Sequence, residues 1–214
     1  MPRDWRAAAA MLLVLALALS PRSAAGESGV SLRILWVDTG LGDRAVRDVG
    51  LMEAREVLEP FGVGMLWRCG PPATESPEDE IRVVPLARRL GEKAGRRILA
   101  ATAMRDGPRT VWLDWAGMLW LVGLDTDTLA SAPPVEKRRL GVALGRVLAH
   151  ELIHILLPDL PHASHGLMDE ALREPLLVPA TLDARSREAL NGLVARGRAA
   201  APAAESAEVA SAGP

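Results

Sequence analysis

The chain has 214 residues, 49% of them hydrophobic and 24% charged, with 25 Lys and Arg against 27 Asp and Glu for a formal charge of −2. That length suits one well-filled core, and the charge balance excludes a polybasic nucleic-acid surface or membrane patch as the organising feature. The single cysteine, Cys69, excludes a disulfide framework or a Cys-rich metal cluster within one chain.

In chain order, residues 1–25 read as a cleaved secretory signal. Arg3 and Arg6 precede an apolar run over 7–19, and Ser23-Ala24-Ala25 supplies the small residues a signal peptidase needs. The run is 13 residues long, short of the roughly 20 that span a bilayer. The expected product is exported, periplasmic or secreted, without stable membrane insertion after cleavage. It keeps 22 basic and 26 acidic residues, a formal charge of −4.

Residues 31–38 are rich in branched side chains and predict a strand. Val46, Val49, Met52, Ala54 and Val57 recur at helical spacing, so a helix is expected over 44–58, ended by Pro60. Strands follow over 62–68 and 81–86, separated by a Pro-rich acidic loop over 70–80. Residues 88–104 read as a helix interrupted by Gly91 and Gly95. Residues 110–115 and 118–124 read as a hairpin carrying Trp112, Trp115 and Trp120 as packing groups. A long helix is expected over 135–157, bounded by Pro133, Pro134 and Pro158. Its stripe of Leu140, Leu144, Val147, Leu148, Leu152 and Ile155 needs burial on both flanks. An irregular stretch over 158–180 and a last helix over 183–196 complete a domain spanning 26–198, and the Ala/Pro-rich residues 199–214 read as a disordered tail. The fold class is α+β, with a mixed twisted sheet of about four to five strands packed on helices.

The four histidines, His150, His154, His162 and His165, all lie within 16 residues. His150-Glu151-Leu152-Ile153-His154 is an H-E-x-x-H sequence near the end of the long helix. Histidines at i and i+4 share a helix face, so both imidazoles can reach one metal ion at about 2.0–2.1 Å. Glu151 is offset by about 100°, placed to reach a metal-bound water as general base. Catalytic zinc usually takes three protein ligands and one water. His162 is the expected third ligand, because the chain can turn after Pro158 and return a side chain to the metal. His165 is the first alternative; Glu170 and then Asp159 follow.

With these residues in place, the sequence resembles the zincin metallopeptidases, and specifically their metzincin-like branch. The resemblance rests on His150-Glu151-x-x-His154, the later His162, and Gly166-Leu167-Met168, which looks like that group's methionine turn. Residues 31–69 also look like the opening of a family of small exported bacterial proteins carrying this motif. The resemblance covers about residues 30–198, with its specific part at 147–168. It differs from the metzincin pattern at Leu157 and Leu160, where a glycine and a ligand are expected, and the chain has no tyrosine to stabilise an oxyanion. Zinc, backbone N–H groups or an arginine must then take that role. Arg68-Cys69-Gly70 resembles the inhibitory thiolate segment of matrixin propeptides, but it lies between strands, and Cys69 is read as a partly buried thiol.

The resemblance implies an exported zinc-dependent peptidase acting on a peptide or protein, with His150, His154 and His162 on Zn²⁺ and Glu151 activating the zinc-bound water. The alternative is an exported zinc-binding protein without turnover, either an inactive zincin relative or a structural site using all four histidines. Three protein ligands and an open position mean chemistry; four mean structure.

Overall fold

A computed structural model of the chain describes residues 29–72, 74–93, 96–104, 108–169 and 180–200. The predicted secretory signal, most of the predicted tail and Glu170 lie outside these residues.

Strand β1 (Val30–Val37) sits second in a five-stranded sheet. Helix α1 (Arg44–Leu58) leads to β2 (Val63–Gly70), and β3 (Glu80–Leu86) follows. A short antiparallel pair, β4 (Glu92–Lys93) and β5 (Arg96–Arg97), precedes β6 (Ala100–Ala103) and β7 (Thr110–Asp114). Helices α2 (Trp115–Leu121), α3 (Thr126–Leu129), α4 (Pro134–Leu156) and α5 (Ala184–Ala200) complete the chain. The sheet order is β2-β1-β3-β7-β6. The first four strands run parallel, and β6 lies antiparallel to β7 at one edge. The architecture is therefore α+β, a mixed five-stranded sheet packed against helices.

Strand alternation gives the sheet two unlike faces. Leu32, Ile34 and Trp36 of β1, Ile81 and Val83 of β3, and Val111 and Leu113 of β7 form the face buried in the core with α1 and α4. On the other face, Arg82 Nη2 donates to the Thr74 carbonyl (2.9 Å) and Arg68 Nη2 to that of Glu75 (3.1 Å).

Asp43 caps α1 by accepting from the Ala45 and Val46 amides at 2.7 and 3.3 Å. The predicted α4 stripe is buried along its whole length. Helices α1 and α4 approach closely because small residues face each other there. A Cβ at Gly145 would stand 2.5 Å from the Gly50 carbonyl oxygen and from Glu53 Cβ. Ion pairs Lys137–Asp43 (2.8 Å) and Arg146–Glu53 (3.0 Å) link the same two helices.

Five sequence expectations are corrected. The described residues of the segment 88–104 are not helical: Gly91 has φ +125°, the Asp114 amide donates to the Leu99 carbonyl at 2.8 Å, and β6 pairs with β7. Pairing with the next strand, β7, overrides the helical preference of its Ala, Leu and Arg residues. The segment 118–124 is not a strand, because the Asp114 carboxylate accepts from the Gly117 amide at 2.7 Å and starts α2. Within it Trp120 is exposed rather than packed, whereas Trp115 is buried. Cys69 is exposed on β2, the edge strand opposite β6, and not partly buried. The last helix also continues to Ala200, past its predicted end at Arg196.

Candidate metal centre

The C-terminal half of α4 carries His150 and Glu151, both buried, and His154, half-buried. Pro158 stops the helix, and the chain doubles back through the Leu160 amide to Leu157 carbonyl bond (3.0 Å). That reversal brings the exposed His162 over the helix end. His154 Nε2 lies 3.1 Å from His150 Nε2 and 3.1 Å from His162 Nε2. The three side chains form a group able to hold a metal ion.

A turn over 163–169 fixes the innermost imidazole. The Ala163 amide donates to the Met168 carbonyl (2.8 Å), and the Leu167 amide to the Thr181 carbonyl (3.0 Å). The Leu167 carbonyl then faces His150 Nδ1 at 2.7 Å. A carbonyl only accepts, so Nδ1 carries the proton and, in the neutral ring, Nε2 presents its lone pair to the cluster. Gly166 has φ +79°, and a Cβ there would stand 2.6 Å from the Thr181 carbonyl oxygen. Only glycine fits this position without strain. Met168 is fully buried in the core.

Burial holds His150 at a pKa of about 4, with the Leu167 hydrogen bond acting against it and the neighbouring imidazoles adding to it. Burial, with the neighbouring His162, holds His154 at about 4 as well. Both rings are therefore neutral at pH 7, the form that ligates a metal. Burial raises the Glu151 carboxyl above its ordinary value, and a hydrogen bond from the Thr102 hydroxyl of β6 partly opposes this.

The donor set fits a cation. With His150 Nε2 unprotonated, His154 Nε2 has one proton at most and two nitrogens at hydrogen-bond distance, so at most one of the two close contacts can be a linear N–H···N hydrogen bond and the other is left in conflict. An ion removes that conflict. Tetrahedral zinc with Zn–N of about 2.0–2.1 Å places its nitrogens roughly 3.3–3.4 Å apart, close to the observed spacing. The C-terminal end of the 23-residue α4 adds partial negative charge beside the cluster.

Of the other candidate ligands, His165 is exposed, with Nδ1 3.1 Å from Ser164 Oγ, and stands apart from the group; Asp159 is also exposed. Among the described residues no fourth side chain joins the three. Sequence reasoning missed Thr102 and the Leu167 carbonyl. Nothing in the local pattern marks Thr102, whose segment reads as helix, whereas Asp114 before an apolar stretch is a helix-start signal that could have revealed α2 and freed the preceding residues for a strand pair. No family model and no curated protein matches the chain.

Proposed function

We propose that the chain is an exported zinc-dependent peptidase whose metal is held by His150, His154 and His162. The observation that carries this reading is the convergence of three Nε2 atoms on one point, one of them fixed in the ligating tautomer by the Leu167 carbonyl. An ion bound there supplies Lewis-acid charge that acidifies water and polarises a peptide carbonyl. Glu151, beside the trio on α4, takes the proton from the attacking water and passes it to the leaving amine. Strand β6 ends the sheet among the described residues, so its outer edge is placed to add an extended peptide as a further strand.

Elemental analysis of the purified mature chain tests the metal. About one zinc per chain is expected, lost in His154→Ala and His162→Ala and kept in His165→Ala. Glu151→Gln should keep the zinc while turnover of an unstructured peptide mixture falls on the order of 10²–10⁴-fold. Zinc bound without any turnover would favour the non-enzymatic zinc-binding alternative. Zinc lost equally with His162 and His165 would point to a closed four-histidine site.

A further inference from the structure

Glu151 is buried, and among the described residues its carboxylate meets one hydrogen-bonding side chain, the hydroxyl of Thr102 on Oε2. No described group bonds Oε1. Strand register brings Thr102 there. Thr102 pairs with Val111 and Ala100 with Leu113, so these β6 residues share the core face, whereas Ala101 and Ala103 point to the opposite one. The single hydroxyl of β6 is thus turned toward α4. A slip of one residue would replace it with an alanine methyl.

The geometry points to Thr102 as a positioning residue for Glu151, one that holds Oε2 so that Oε1 is the oxygen free to exchange a proton with water and leaving amine. This rests on the peptidase reading above. A carboxylate turns easily about its last torsion, where preferences are broad and two-fold. A threonine in a strand has few χ1 choices, and its one donor settles which carboxylate oxygen is engaged. Holding a reacting group in its working orientation before substrate arrives is a recognised source of rate. Thr102 gives up no proton in the cycle: Oε2 accepts from the hydroxyl, and Oε1 gains and then loses the transferred proton. The strand offered to the peptide is therefore also the strand that aims the base.

The test compares Thr102→Val, which keeps the shape without the donor, Thr102→Ala, and Thr102→Ser, which restores the donor. Metal content and urea midpoint are measured on each. Turnover is followed with an internally quenched peptide chosen from a mixed library. Acetohydroxamate affinity is measured on the cobalt-loaded protein by visible absorption, since a hydroxamic acid must surrender a proton to a nearby base when it chelates.

The valine and alanine variants should keep the metal, lose kcat on the order of 10–100-fold at unchanged KM, and lose hydroxamate affinity in parallel; serine should recover both. Wild-type kcat and hydroxamate affinity in the valine variant would overturn the assignment. So would a serine variant as impaired as valine, or loss of metal in the valine and alanine variants, which would make Thr102 structural. If the wild type loads metal but cleaves nothing, the peptidase reading fails, and the hydroxamate comparison still decides whether Thr102 positions Glu151.

Discussion

The imidazole of His150 depends on a backbone atom 17 residues away, the Leu167 carbonyl, and that carbonyl depends on Gly166. Gly166 tolerates a left-handed backbone and lets the Thr181 carbonyl approach to a distance no Cβ would allow. Gly166→Ala should therefore destabilise the chain by about 1–3 kcal/mol and weaken zinc binding, because the turn that holds His150 Nδ1 shifts with it. Urea unfolding and a zinc titration read both effects, and unchanged values in the variant would refute the coupling. The spacing of His150, Glu151 and His154 was legible because helix periodicity is local, and His162 followed from the helix stop at Pro158. The tautomer of His150 was not, because its partner is a backbone carbonyl with no residue-type signature.

At the level of elements, α4 and α1 were legible from their apolar spacing and from Pro60, Pro133, Pro134 and Pro158 at their ends. Their mutual packing was not. Gly141 and Gly145 each cost a helix roughly 1 kcal/mol relative to alanine, and the reason for them is the backbone and side chains of α1. A Cβ at Gly141 would stand 2.6 Å from Val49 Cβ. Gly145→Ala should lower stability by about 1–3 kcal/mol despite its better helix propensity, measured as a shift in urea midpoint. A stabilised variant would mean that the helices separate without cost. Strand β6 was misread because Ala, Leu and Arg predominate around it, and a half-exposed edge strand shows little alternation. Only pairing with β7, itself cut short by the Asp114 cap, makes it a strand.

For the molecule as a whole, acid stability depends on carboxylates held by partners. Arg68 beside Glu80 keeps its carboxyl below the ordinary value of 4.5, Ser76 adds a hydrogen bond, and Arg33 adds a more distant positive charge. The unfolded chain therefore takes up this proton first as pH falls. The stability Glu80 contributes is whole above about pH 4.5 and is lost as pH drops through the folded-state value. Glu80→Gln should make the acid-induced fall of the urea midpoint shallower below about pH 5; an unchanged slope would show that Glu80 does not contribute. Metal should act globally too. Adding zinc to metal-free protein is expected to raise Tm with zinc concentration, as any ligand of the folded state does, and His162→Ala should abolish the shift.

The sequence by itself determined what depends on near neighbours: the strand and helix that open the domain, the long helix, two histidines one turn apart with a glutamate between them, and the cluster of all four histidines in one short stretch. Tertiary structure alone decided which carbonyl fixes His150, that His165 stands apart, that residues 100–103 form an edge strand, and that Thr102 meets Glu151 across 49 residues of chain. Helical periodicity is written in adjacent residues. Strand pairing depends on a second segment, here β7, seven to 13 residues on, and the contact it creates with Glu151 lies 49 residues on; no local pattern names either.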